Sequence, residues 1–391
     1  MERRRVAVTG LGVVSPCGIG VDAFWDGLLA PAPLGLRHVH DFDPAPLFDN
    51  PKDARRADRF TQLALGAATE ALAHSGPLQA DPSRIGTWIG TGIGGLHTLE
   101  EQVRVYDTKG ARRVSPFMVP MLMPNAAAAA VSMRHGFQGP CETTCTACAA
   151  GTQSIGNAFR LIATGRCDAA VAGSTEATMT EVCIAGFTNM TAMSAEALSR
   201  PFDRDRDGFV IAEGAGVLVL EELETARARG ATVLAEIIGA ASNADAHHIT
   251  APSPGGTGAL ACMELALADA GLEPDQVAHV NAHGTSTPAN DAAEAEAIVK
   301  LFGADGPPVT SIKGVTGHSL GAAGSIEAVS VVLSMQKGLI PPTAGYQTPD
   351  PDMAPIDIVV GGPREWTPGP TLSNSFGFGG HNGCVVIAPL S

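Results

Sequence analysis

A chain of 391 residues is longer than one hydrophobic core usually supports, so two lobes are expected. A formal net charge of −15 argues against nucleic acid and anionic membranes as partners, and no stretch approaches the roughly 20 apolar residues of a membrane span. Eight cysteines without a paired framework suit a reducing cytoplasm, and 46 glycines and 28 prolines among recurring apolar stretches predict tight turns, not disorder.

The start, Met1–Arg5 followed by Val6–Gly10, mimics a signal peptide. Its apolar part is short and broken by Thr9, Gly10 and Gly12, so a buried first strand is expected. Gly10-Leu11-Gly12 invites a dinucleotide-binding reading, but position 15 is Ser where the third glycine belongs, and Ser15–Gly18 reads as a turn. Helical spacing covers Phe60 to His74. A strand covers Arg84–Gly90, and the glycine run Gly90–Gly95 behind it reads as a tight loop. Ala126–Ala130 reads as a packed helix. Further strands are expected at Asp168–Gly173 and Gly216–Glu221, and this alternation argues for an α/β architecture.

Cys141, Cys145 and Cys148 have the C-x3-C-x2-C spacing of an iron–sulfur motif. The residue before the third is Ala147, where radical enzymes that use S-adenosylmethionine usually carry an aromatic. Neighbours on a strand also alternate faces, so Cys141 and Cys145 are expected to be buried structural cysteines. Cys148 reads differently. Small β-leaning residues precede it and a helix-compatible segment, Gln153–Ile162, follows. A strand, a sharp turn and a helix whose first turn holds a thiol are expected. The unpaired N–H groups and partial positive charge of a helix start favour the thiolate, a strong nucleophile. The adjacent His247 and His248 point apart on an extended segment, and no metal site is expected.

Two helices echo each other. One opens at Ala149-Ala150-Gly151 and ends near Gly165; the other opens at Ala322-Ala323-Gly324 and runs from Ser325 to Gln336. A duplicated fold and a coincidence in an Ala/Gly-rich chain both account for this. Three later segments carry chemistry. Val280–Pro288, with Asp291 and Glu294 beyond, ends a strand in His283 and a hydroxyl-rich loop. Ser311–Gly324 places Lys313 and His318 before a glycine-lined helix start. Ser373–Gly383 is dense enough in glycine to aim backbone N–H groups at a ligand, as an oxyanion hole requires.

Together these residues resemble the β-ketoacyl-acyl carrier protein synthases of the thiolase superfamily. The resemblance spans nearly the whole chain: Val8–Gly12, Thr146–Cys148, Arg200–Asp203 with Arg206–Phe209, Asn281–Pro288, Lys313–Gly324 and Asn374–Asn382. It implies an α/β, thiolase-like, five-layered α-β-α-β-α fold of duplicated βαβαβαββ halves. Residues 1–230 would hold the nucleophilic cysteine and 231–391 the catalytic histidines. Cys148 would take an acyl chain as a thioester. His283 and His318 would hold the malonyl thioester carbonyl during decarboxylation, and the N–H groups of Cys148 and Phe378 would hold the oxyanion. Lys313, with Glu327 as partner, would orient the histidine region. Thr285, Thr287 and Thr250 would bind the phosphopantetheine arm of the acyl carrier protein, with no bound cofactor. Phe378 resembles an aromatic gate, and Val114 and Phe187 resemble acyl-pocket positions. Lys52, Arg55, Arg56 and Arg59, and separately Arg204 and Arg206, would dock the acidic carrier protein.

A thiolase would place a second catalytic cysteine in the C-terminal glycine loop, which here has Phe378 and His381. Initiating synthases carry His and Asn, not two histidines. A chain-length factor, the non-catalytic alternative, lacks the nucleophile. The chain therefore resembles an elongating enzyme, either a homodimer or the catalytic partner of a chain-length-factor-like homologue. Residues 311–321 lean towards a type II polyketide system, with fatty-acid elongation as the alternative.

Overall fold

The computed structural model describes residues 3–391; Met1 and Glu2, part of the charged start, lie outside the described residues. Strand β1 (Val6–Ser15) is buried along its whole length and runs straight through Gly10 and Gly12. These glycines do not form a phosphate turn. A β-carbon on Gly10 would collide with the Ala71 carbonyl oxygen, and one on Gly12 with that of Ala67, because helix α1 (Arg59–Ser75) lies directly on the strand. Asp58 caps the start of α1 by accepting from Phe60 N–H at 3.3 Å, and Gly76 ends it with φ 72°. Phe60, Leu63, Ala64, Ala67, Ala68 and Ala71 form its buried face.

The first half continues through β2 (Ile85–Gly90), α2 (Ala126–His135), β3 (Cys141–Glu142), α3 (Ala150–Ala163), β4 (Ala169–Glu176) and β5 (Gly214–Glu222). The second half runs β6 (Ala235–Ala244), α4 (Thr257–Ala270), β7 (His279–Asn281), α5 (Pro288–Phe302), β8 (Val309–Thr310), α6 (Ala323–Lys337), β9 (Thr371–Gly377) and β10 (His381–Ala388). Each series is βαβαβαββ. Strand order is β3-β2-β4-β5-β1 in the first and β8-β7-β9-β10-β6 in the second, the same pattern twice. The halves join where β1 and β6 pair antiparallel, with Val6 opposite Ile237 and Val8 opposite Ala235.

Helices α3 and α6 fill the middle. Ile155, Phe159 and Ile162 of α3 and Ile326, Val329 and Val332 of α6 share one core with Val8, Leu218, Ile237 and Val385 from strands of both halves. Outside, α1 and α2 cover one sheet, while Met263 of α4 and Ile298 of α5 pack on Val280 and Val386 of the other. Five layers, α-β-α-β-α, result. The helix echo is a fold duplication.

One local expectation fails. Only Cys141 and Glu142 of the stretch before Cys148 pair as a strand, and they do so on the sheet's edge against Thr87 and Trp88. An edge strand leaves one side open, so Cys141 is exposed, and Cys145, in the irregular stretch after it, is exposed too; neither is buried.

Gly12→Ala forces a methyl group into the α1 backbone. It is expected to lower unfolding free energy by about 3 kcal/mol, the upper end of overpacking costs, read as a lower urea midpoint.

Candidate active site

Cys148 lies in the 3-10 turn Ala147–Ala149 that leads into α3, just ahead of the helix and not inside its first turn. Ala147 makes the corner with φ 48°, a costly value for a residue with a β-carbon. The thiol is fully buried, and burial pushes it up to about 11, against the pull of the Phe378 N–H, the Lys313 charge and its own N–H. The expected resting thiolate is therefore corrected. Desolvation outweighs the helix start.

The second half supplies the companions. His318 Nε2 is 3.1 Å from Cys148 Sγ. The His283 ring stands edge-on to that of His318 with centroids 5.4 Å apart. Burial lowers both histidines well below the usual value, and Lys313 lowers them further, so both are neutral near pH 7. A neutral imidazole offers one donor and one acceptor, and Nδ1 of each ring has no hydrogen-bond partner. The His318 loop is held by its own N–H donating to Val210 O at 2.7 Å and by Ala212 N–H donating to His318 O at 3.0 Å. Lys313 Nζ donates to His283 O at 2.6 Å and pairs with buried Glu327. Burial pushes Glu327 up to about 7, against the pull of that ammonium.

Some contributors had no role assigned from sequence. Glu294 accepts from the N–H groups of His283 and Gly284, each at 2.8 Å, and so fixes the His283 backbone from α5. Phe209 packs edge-on against the His318 ring at 5.3 Å. The signal for Glu294 was its place on the helix just after the histidine strand. Phe209 belonged to a motif with no visible chemistry.

A cavity of about 350 Å³ opens onto these groups, lined by Cys148, His283, His318, Thr250, Thr285, Thr287 and Phe378 among others. The Thr285 and Thr287 hydroxyls lie 2.9 Å apart. Phe187 packs behind, its ring 5.3 Å from Phe209 and 6.5 Å from Phe378. Val114 follows the short turn Ala111–Arg113 and lies outside the lining.

The basic residues divide. Lys52, Arg55, Arg56 and Arg204 are exposed, with Arg56 stacked over Phe117 at 4.9 Å and Arg204 paired to Asp205. Arg206 is buried and paired to Asp350 at 2.6 Å, and half-buried Arg59 pairs with Glu213 at 3.1 Å. Both are engaged in internal ion pairs, and burial takes Arg206 out of docking. Arg112 and Arg113, not singled out in the sequence, are exposed on their turn.

The Cys148, His283 and His318 donor atoms lie within 4.8 Å of one another, a set that a soft divalent ion accepts. A buried ammonium stands beside them, and the histidine Nδ1 atoms lack the acceptors that normally orient metal-bound rings. Cys141 and Cys145 do not join the cluster.

A duplicated α/β fold that presses a buried cysteine from one half against two neutral histidines and a lysine from the other defines a thiolase-like condensing enzyme. Residues 30–226 match the N-terminal domain model of the β-ketoacyl synthases and residues 234–347 the C-terminal one, and the chain belongs to that family. It is 44% identical to 3-oxoacyl-[acyl-carrier-protein] synthase 2 of Synechocystis, over 98% of this chain and 97% of that protein. It is also 44% identical to the Staphylococcus aureus protein of the same name, over 99% and 98%. Among solved structures, an ishigamide ketosynthase/chain length factor superposes with TM-score 0.93 at 32% identity over both full chains. A β-ketoacyl synthase from Burkholderia phymatum gives 0.91 at 33%, over 99% of this chain and 100% of that one.

Because burial raises the Cys148 thiol, its alkylation rate is expected to keep climbing above pH 9, where an ordinary cysteine levels off; peptide mass spectrometry at graded pH reads this. Lys313→Met strands Glu327 in the core. It should cost about 3 kcal/mol or more, partly recovered in the Lys313→Met/Glu327→Gln double variant, by denaturant unfolding.

Proposed function

We propose that the chain catalyses decarboxylative condensation between an acyl group on Cys148 and a malonyl group carried by an acyl carrier protein, as a β-ketoacyl-acyl carrier protein synthase. The observation that carries this is the contact of Cys148 Sγ with His318 Nε2 at 3.1 Å, with His283 alongside and neither ring protonated. The halves 1–230 and 231–391 each contribute part of the site.

In the first half-reaction Cys148 sulfur bonds the acyl carbonyl, and the carrier's carbon–sulfur bond breaks. The carrier thiol leaves with the proton from Cys148. The tetrahedral oxyanion sits at the Cys148 and Phe378 N–H groups. Since the resting thiol is protonated, its proton must move as the bond forms, and it departs on the carrier sulfur. In the second half-reaction the malonyl carboxylate leaves as carbon dioxide. The electron pair becomes an enolate whose oxygen accepts from His283 and His318. A neutral ring keeps its donor without inviting proton transfer to carbon, and Lys313 adds positive charge nearby. The enolate carbon then bonds the Cys148 thioester carbon, and the sulfur leaves as thiolate to be reprotonated.

Thr250, Thr285 and Thr287 line the approach with hydroxyls suited to a phosphopantetheine arm. Lys52, Arg55, Arg56 and Arg204, joined by Arg112 and Arg113, are the exposed cations offered to an acidic carrier. Tyr106, Phe117, Val119 and Met123 are exposed apolar residues that favour a second subunit, a copy of this chain or a homologue, over that face. One structural neighbour is a type II polyketide ketosynthase in complex with its carrier protein, at 32% identity. The relatives at 44% identity, named 3-oxoacyl-acyl carrier protein synthase 2, support fatty-acid elongation at least as well as the polyketide reading favoured from residues 311–321. Product analysis with malonyl carrier protein, with and without a cysteine-less homologue, separates the two.

Cys148→Ala is expected to abolish covalent acylation in intact-mass spectra. His283→Ala and His318→Ala should cut malonyl decarboxylation by about 100-fold or more while Cys148 still acylates. Parallel loss of both half-reactions in the histidine variants would contradict this division of labour.

A further inference from the structure

Two turns in the fold share one backbone shape. Ala147, φ 48°, opens the 3-10 turn before α3, and Leu320, φ 45°, opens the turn Leu320–Ala322 before α6. Positive φ is costly wherever a β-carbon is present, so its recurrence at one register in both halves marks equivalent positions. Counted from these residues, Cys148 matches Gly321 and Gly151 matches Gly324. The contacts are reciprocal. A β-carbon on Gly151 would meet Ser174 Oγ at 2.5 Å and Ser325 N at 2.7 Å; one on Gly324 would meet Ser375 Oγ at 2.9 Å and Thr152 N at 2.7 Å. Ser174 on β4 therefore matches Ser375 on β9. At the same offset beyond them, Glu176 matches Gly377.

The two sites differ at that last position. Gly377 has no side chain, and the space a β-carbon would take lies 3.0 Å from Cys148 N and 3.2 Å from Ala149 N. The Cys148 amide is left open to a substrate oxygen, while the Ala149 N–H donates to Thr146 O at 3.1 Å. At the second turn a carboxylate fills the matching place. Glu176 Oε2 accepts from Gly321 N–H at 3.1 Å and Gly92 N–H at 2.6 Å, and Oε1 accepts from the Thr91 hydroxyl at 3.1 Å. Glu176 is fully buried and has no cationic partner among the described residues.

We propose that Glu176 is a resident oxyanion in the second copy of the nucleophile's turn and, through Gly321, the positioning residue for His318. The His318 loop is held at its start by Val210 and Ala212 of the first half. Glu176, also of the first half, holds its end. The Thr91–Gly92 loop thereby acquires a purpose: its glycine leaves room for the carboxylate, since a β-carbon there would sit 2.6 Å from Glu176 Oε2. Burial pushes this carboxyl up to about 7, and the Gly92, Gly321 and Thr91 donors pull it back, as expected of a group kept for its acceptor atoms.

The assignment to His318 rests on the proposed condensation; the resident oxyanion does not, and the experiment reads them separately. Glu176→Ala leaves the Gly321 and Gly92 amides facing a cavity. Formate should refill it, raising the melting temperature of this variant by a few degrees while leaving wild type unmoved, whatever the catalytic activity. Glu176→Met, which nearly keeps the volume but offers no oxygen to the amides, should lower malonyl decarboxylation by about tenfold or more while Cys148 acylation changes by less than about threefold. Formate should partly restore decarboxylation in Glu176→Ala. Equal formate stabilisation of wild type and Glu176→Ala overturns the resident oxyanion. A parallel fall of both half-reactions in Glu176→Met, or no fall in either, overturns the positioning role. Should the alanine variant not fold, a crystal structure of Glu176→Met with the His318 ring unmoved would overturn the proposal; a displaced ring would support it.

Discussion

The close crossing of α3 and α6 is the constraint on which the rest of the structure depends. Gly151 and Gly324 each lack a β-carbon that would strike the other helix or the strand beneath it. Glycine inside a helix costs roughly 1 kcal/mol relative to alanine. Here the loss is offset by letting two backbones meet, so that the turns at both helix starts face one another across the middle layer. Cys148 belongs to one turn and His318 enters the other. Their 3.1 Å contact joins residues 170 positions apart only because these helices approach so closely.

That geometry forces polar groups into a dry interior, and the site's electrostatics follow from it. His283, His318, Lys313, Glu327, Glu294 and Glu176 are all buried, and each either finds partners or gives up its charge. Lys313 and Glu327 pair with each other. The histidines stay neutral, and Glu294 and Glu176 collect backbone N–H groups. The result is a pocket where neutral donors await an anion and the nearest full positive charge stands one residue behind. An enolate that gains charge during reaction is stabilised more than its neutral precursor, which is what catalysis requires. The same dryness raises the Cys148 thiol, so the nucleophile is reached by coupled proton transfer and does not exist as a standing thiolate.

Much of this was legible in the chain because its chemistry is written in contiguous runs. The histidine strand, the Lys313–His318 loop and the glycine-rich Asn374–Asn382 segment each carry type and spacing together, and the helix echo announced the duplication. What escaped depends on residues distant in sequence. Arg59 and Arg206 look like any surface arginine until Glu213 and Asp350 arrive from elsewhere to pair with them. Gly10 and Gly12 look like a loop signal until α1 packs on them. Cys141 lies on the last strand of the sheet and Cys145 in the unpaired stretch behind it, a property of sheet order and not of their own side chains. A thiolate was expected from the helix start alone; the burial that reverses it comes from Leu320 and Phe209 of other elements.

The surface then follows from what the interior consumes. Arg206, Arg229 and Lys313, all buried or nearly so, are spent on internal carboxylates, and the chain as a whole carries −15 net charge. Lys52, Arg55, Arg112 and Arg113 have no ion-pair partner among the described residues. An acidic partner approaching such a molecule meets net repulsion, offset locally where unpaired cations stand. Within a Debye length of about 8 Å at physiological salt, a few unpaired cations bias the orientation of approach even though the total charge opposes it. Orientations that bring like charges together are disfavoured, which makes approach to such cations selective.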